Sequence, residues 1–165
     1  MWNITVMLVL FSVAGYYTTH NLEQQDQNQA NGALAVADDM AVYRGAVIDY
    51  FSSNDLRDTS VSLATLKAAH ALPAWSTSGQ GGIAPAWGNY RDGAGLIYIY
   101  ATRLPAGDIS ADIARLSRNS ILAGVYRREQ PNLQSPVFGD THIPLTALAG
   151  LAVPDGAPVW IGTSP

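Results

Sequence analysis

Hydrophobic and polar positions divide the chain sharply. Trp2 to Tyr17 (WNITVMLVLFSVAGYY) run without a charge; the first charged side chain is Glu23 and the first cationic one Arg44. Sixteen helical residues rise about 24 Å, against a hydrocarbon core of about 30 Å. The segment is therefore short for a membrane span. Trp2 at one end and Tyr16 and Tyr17 at the other are residue types that settle at membrane–water interfaces. Thr18, Thr19 and His20 extend the helix toward the headgroups. Three readings compete: an uncleaved anchor, a cleaved signal peptide and a buried helix. A signal peptide wants Lys or Arg ahead of the apolar run, and none is present; Ser12-Val13-Ala14 is only a passable cleavage motif. A buried helix followed by a polar tract has little to pack against. The expectation is an anchor held by Trp2, Leu8, Leu10, Phe11, Tyr16 and Tyr17. Glu23 and Asp26 follow it in place of basic residues, which favours an outward C-terminus.

Beyond it the pattern changes twice. Thr18 to Asn31 is Gln- and Asn-rich and has no apolar face to bury, so it reads either as a helical stalk or as a flexible linker. From Ala33 to Phe51, Val36, Met40, Tyr43, Val47 and Tyr50 recur at helical spacing, with Asp38, Asp39, Arg44 and Asp49 mostly off that stripe. A stripe of this kind predicts a helix packed on a core.

The remainder alternates short elements with turns. Ser62 caps a predicted helix from Leu63 to about His70, stopped ahead of Pro73. Thr77 to Gly82 is loop by composition, Ile83 to Trp87 a predicted strand, and Asn89 to Gly95 a turn. Leu96 to Tyr100 is the clearest strand, and an unbroken apolar run of this kind implies cover on both faces. Asp108 or Ser110 caps a third helix with Ile113 and Leu116 inward. Ile121 to Arg128, Leu133 to Val137 (broken by Pro136) and Pro158 to Ile161 are further strands; Pro144 to Val153 is a helical turn or an extended loop. The fold class is α+β, with the amphipathic helix packed on a small antiparallel sheet of about four strands. The expected organisation is an anchor over 1–19, a polar stalk over 20–31 and one domain over 32–165.

Composition narrows the partners. The net charge is −4 and charged residues make up 13 % of the chain, which leaves no electrostatic handle for nucleic acid or an anionic lipid surface. There is no cysteine, which removes disulfides, thiolate metal sites and thiol nucleophiles.

Candidate chemistry is thin. His20, His70 and His142 stand apart in sequence, and none has a second ligand at metal-binding spacing. His70 reads as a helix-terminal residue, and His142 as half of a site with no evident partner. Asp38 and Asp39 point about 100° apart on a helix and do not converge. Gly93 to Gly95 and Gly81-Gly82 lack the context of a phosphate-binding loop, and no G-x-S-x-G elbow is present. No catalytic residue, metal or cofactor is assigned, and no small-molecule substrate is expected. Arg127 and Arg128, with Arg115 and Arg118 nearby, form the one basic cluster. Among the aromatics, Tyr98, Tyr126 and Trp160 lie in predicted strands and read as core. Trp75, Trp87 and Tyr90 flank Gly-rich loops and read as surface. The candidate partner-binding set is therefore Trp75, Trp87, Tyr90, Arg115, Arg118, Arg127 and Arg128.

Taken in order, AVYRGAVIDYF (Ala41 to Phe51), LPAW (Leu72 to Trp75), GLIYIYA (Gly95 to Ala101), ILAGVYRR (Ile121 to Arg128) and VPDGAPVWIG (Val153 to Gly162) follow the anchor and the polar tract. This order resembles the PilM family of type IVb (thin) pilus biogenesis proteins from conjugative plasmids and related elements. Pro154, Gly156, Val159 and Trp160 carry the most specific part of the likeness. The resemblance implies a non-enzymatic accessory protein in the inner membrane, with a periplasmic domain that binds pilus-assembly proteins or pilins. The helix-then-sheet order also resembles type IVb pilins and implies a pilin-like fold. A pilin, however, needs a Gly–aromatic processing site ahead of its apolar helix and a Glu at the fifth mature position. Here Gly15-Tyr16 follows the apolar run, and the fifth position from Tyr16 is His20. Processing and polymerisation as a major pilin are not expected. Two other functions compete: a secreted module binding sugar or peptidoglycan through Trp75 and Trp87, and a hydrolase built around His142.

Overall fold

The computed structural model describes residues 30–73, 76 and 87–163. The anchor residues Trp2, Leu8, Leu10, Phe11, Tyr16 and Tyr17, and Trp75 in the later loop, lie outside them. Among the described residues, no helix is long and apolar enough to cross a membrane.

Among the described residues a long helix, α1 (30–53), comes first. It is followed by α2 (Leu63–Ala68), β1 (Trp87–Arg91), β2 (Leu96–Ala101), α3 (Ser110–Leu116), β3 (Ala123–Val125), β4 (Asn132–Ser135) and β5 (Gly139–Pro144). A 3-10 turn (Thr146–Leu148) and β6 (Pro158–Thr163) complete the order. Among the described residues, one antiparallel sheet of six strands, ordered β1-β2-β6-β3-β4-β5, stands where about four were expected. β5 carries the polar sequence GDTHIP and is held by backbone pairing to β4, so no apolar alternation announces it. β1 also departs from expectation. Asn89, Tyr90 and Arg91 are strand residues and not part of the turn.

Asp92 makes the tight connection between β1 and β2. Its backbone N–H donates to Leu96 O (3.0 Å), its Oδ1 accepts the Leu96 N–H (2.9 Å), and its Oδ2 accepts from the Tyr98 hydroxyl (3.1 Å). Gly95 supplies the positive φ of +93° that this turn requires. β2 and β6 are adjacent interior strands, and nearly all their residues are buried, as the apolar run of β2 predicts.

α1 lies across one face of the sheet. Ala37, Met40, Tyr43, Ala46, Val47 and Phe51 are its buried residues. Met40, Tyr43 and Val47 are stripe residues, whereas Val36 is exposed and Tyr50 half-buried, at the margins of the contact. Arg44 also departs from the predicted pattern. Its guanidinium sits 4.9 Å over the Trp160 ring and donates to Ile161 O (3.1 Å). Burial lowers its pKa. Close approach of helix to sheet depends on Gly162, where a Cβ would lie 2.7 Å from Ile48 Cδ1.

α2 has the predicted Ser62 N-cap, whose hydroxyl accepts the Thr65 N–H (3.0 Å). It ends with His70 in the left-handed region at φ +54°, where the Ala71 N–H bonds Leu66 O (3.0 Å). β3 is shorter than the predicted strand. The Tyr126 N–H bonds Ala157 O (2.8 Å) and the Gly156 N–H bonds Tyr126 O (2.9 Å), which continues the pairing irregularly past Val125.

Candidate functional site

The candidate residues that the structure describes fall into two groups. Trp87 and Tyr90 lie on β1, at one edge of the sheet. Arg127 and Arg128 follow β3, three strands away and so about 14 Å across the sheet. Arg115 and Arg118 belong to α3 and its end. The sequence set is not one contiguous surface.

On β1, alternate side chains face α1, and each is engaged there. Trp87 is only 3 % exposed and its indole N–H donates to Asp39 Oδ2 (2.7 Å). This corrects its assignment to the surface. Asn89, which sequence reasoning placed in a turn, is buried and fully bonded. Its Nδ2 donates to the Tyr43 hydroxyl (2.7 Å) and to Val61 O (2.8 Å), while its Oδ1 accepts the Val61 N–H (2.8 Å). Arg91, 5 % exposed, turns its Nη1 toward the carbonyls of Phe51, Asn54 and Leu56 (3.3, 3.3 and 3.4 Å). Its Nη2 meets Asp55 at 3.2 Å and its guanidinium carbon lies 5.4 Å from the Phe51 ring centroid. A cation at the C-terminal carbonyls of α1 also opposes the negative end of the helix dipole.

Burial pushes the Tyr43 hydroxyl up to about 12, against the smaller lowering by its Asn89 bond. Tyr98 is likewise pushed up to about 12, by burial first and by the Asp92 carboxylate second. Tyr90 is half-buried, points from the opposite face of β1, and reaches Asp58 Oδ1 only at 3.5 Å. At Arg91 the outer edge of β1 is itself paired, since Thr59 and Arg91 exchange both backbone hydrogen bonds (3.1 and 2.8 Å).

The other end of the sheet differs. An open groove of about 620 Å³ runs between the β2–α3 connection and the β4–β5 hairpin, lined by Leu104, Pro105, Val125, Arg127, Pro136 and Pro158 among others. Arg127 Nη1 stands 4.0 Å from Asp155 Oδ2, with both side chains about half exposed. Asp155 Oδ1 accepts the Arg128 backbone N–H (2.8 Å), and the Arg128 guanidinium has no hydrogen bond or ion pair among the described residues. Asp108 is held below the ordinary carboxylate range, first by the Ser110 backbone N–H (2.8 Å) and last by the Arg127 charge. Arg115 pairs with Asp112 on α3 (3.0 Å), and Arg118 is exposed just past the end of that helix. These arginines are thus solvent-facing, in contrast to Trp87; Arg127 and Arg128 line one recess, which includes neither Arg115 nor Arg118.

His142 is 87 % exposed, with Nδ1 3.8 Å from Asp140 Oδ1, an oxygen that already accepts the His142 N–H (2.8 Å). Among the described residues, no group of three or more His, Asp or Glu side chains is placed to hold a metal ion.

The fold is therefore that of an α+β domain in which the long helix α1 lies on an antiparallel sheet, with an open groove at the sheet end away from β1. The PilM family profile matches residues 8–161, nearly the whole chain, and the chain belongs to the PilM family, a family of pilus biogenesis. No curated protein and no solved structure matches it.

Proposed function

We propose that the chain is a non-enzymatic assembly component of a type IVb (conjugative thin) pilus. In this reading residues 1–19 anchor it in the inner membrane as a single pass, 20–31 form a stalk, and 32–165 form a periplasmic domain that binds other pilus-assembly proteins or pilins. Membership of the PilM family over 8–161 carries the reading, because it brings pilus-assembly partners in general. The uncharged run Trp2 to Tyr17 supports the anchor. The exposed arginines support a protein contact on the α3 side, where Arg118 and Arg128 are unspent by the fold. The alternative of a sugar-binding module loses Trp87, whose indole is buried against α1.

Deleting the chain from pilus-making cells and restoring it in two forms tests this. Full-length chain is expected to restore pili and to stay in the membrane after alkaline carbonate washing. A form lacking residues 1–19 is expected to do neither. Normal pili without the chain would end the assembly reading. Release by carbonate, or a mature N-terminus beyond Ala14, would end the anchor.

A further inference from the structure

A cleft of about 370 Å³ lies at the C-terminal end of α1, lined by Asp55, Arg57, Arg91, Gly95, Leu96 and Thr163 among others. That volume is at the small end of the range for small-molecule sites. Two guanidiniums converge in it. A Cβ built on Gly95 would stand 3.7 Å from Arg57 Nη1 and 3.9 Å from Arg91 Nη2, and the glycine, at φ +93°, leaves that space open.

The fold does not use up either cation. Arg91 is the buried one, with a side chain only 6 % exposed. Its Nη1 is spent on the three carbonyls that follow α1, but its Nε is buried without a hydrogen bond. Its carboxylate partner, Asp55, is 73 % exposed. Arg57 donates from Nε to Asp55 Oδ1 (3.3 Å) and from Nη1 to Gly93 O (3.1 Å), and its Nη2 has no hydrogen bond among the described residues. A buried guanidinium whose counter-ion stands in solvent is poorly compensated, because so exposed a carboxylate is screened and contributes little.

The contacts in the cleft select its ligand. Asp55 Oδ1 lies 3.2 Å from Arg91 Nη2 and 3.3 Å from Arg57 Nε, so the two arginines are already spaced to share one carboxylate oxygen. The charged side chains of the lining, two arginines and one aspartate, leave a net charge of +1. A dianion such as phosphate is opposed by the carbonyl end of α1, by the Asp58 carboxylate beside Gly93 and by the Asp92 carboxylate of the β1–β2 turn. A singly charged carboxylate meets less of this repulsion, and Ala94 and Leu96 in the lining suit a short carbon chain.

We propose that this cleft binds the carboxylate of a small organic acid between Arg57 and Arg91, with Asp55 as the internal carboxylate that the ligand displaces. The inference goes beyond the pilus reading and does not depend on it.

The arginine Nε–H signals of isotope-labelled full-length chain in detergent micelles provide the test. Sodium acetate, titrated against sodium chloride at constant ionic strength near pH 6, is expected to shift the Arg57 and Arg91 signals saturably and to leave that of Arg118 in place. Asp55→Asn removes the internal competitor and is expected to bind acetate about two- to fivefold more tightly. Arg57→Gln is expected to bind it at least about tenfold more weakly. No saturable shift in either the unsubstituted chain or Asp55→Asn overturns the proposal, as does an equal shift at Arg118. An Asp55→Asn affinity no higher than that of the unsubstituted chain, or an unchanged affinity in Arg57→Gln, overturns it as well. Tighter binding of inorganic phosphate than of acetate overturns the carboxylate assignment. Should Asp55→Asn misfold, Asp55→Ser takes its place with the same two outcomes.

Discussion

The β1 edge and the β4–β5 end of the sheet use conspicuous side chains in opposite ways. At β1, Trp87 stands out in the sequence as a surface aromatic, yet it and its strand neighbours Asn89 and Arg91 are each committed to α1 or its C-terminal carbonyls. At the other end, Leu104, Val137 and Phe138 do not stand out in the sequence, yet the fold leaves them exposed, as it does Arg128 of the basic cluster. An unusual residue type therefore says less about binding than whether its groups are already satisfied. The polar pattern of β1 docks a strand on a helix, and the surface available to a partner lies elsewhere.

The sharpest way to break this contrast is Arg91→Met. It leaves the carbonyls of Phe51, Asn54 and Leu56 without their shared donor, and a loss of about 3 kcal/mol in urea unfolding is expected. Asn89→Leu comes next, at about 2–3 kcal/mol, because the Val61 backbone groups and the Tyr43 hydroxyl all lose their partner.

Tyr43 gives the same interface a pH signature. Its hydroxyl titrates higher in the folded chain, at about 12, than its ordinary 10.0. The unfolded chain releases this proton first, so the stabilisation is complete below pH 10 and is lost as pH rises toward 12. About 2–3 kcal/mol is at stake. Alkaline unfolding of Tyr43→Phe, followed by circular dichroism, is expected to show a shallower loss over that window.

Gly162→Ala drives a Cβ into Ile48 and is expected to cost about 1–2 kcal/mol, partly recovered when Ile48→Val removes the opposing methyl. Tyr90→Phe is the smallest case. Its hydroxyl contact with Asp58 is long and exposed, and a change within about 0.5 kcal/mol is expected.

These two regions also show what the sequence made legible. The α1 face was readable because Met40, Tyr43 and Val47 are large and apolar at helical spacing. Ala37 and Ala46 complete that face but carry too little apolar volume to mark it, and Arg44 reaches it by laying its guanidinium on Trp160. β2 and β6 were readable as apolar runs. β5 was not, because its pairing is backbone to backbone under polar side chains. Nor was the inward role of Asn89 and Arg91, since their partners, Tyr43 and the carbonyls after Phe51, lie dozens of residues away. Arg127 and Arg128 were visible as basic residues, but their neighbours from the β4–β5 hairpin and the turn at Asp155 are brought to them only by the fold.

The most direct test of the division is a photocrosslinking amino acid placed at Arg118 and, separately, at Tyr90, in cells building the pilus. Adducts with another pilus-assembly protein from position 118, and none from position 90, are the expected result. Adducts from position 90 alone would contradict it and return the binding surface to β1.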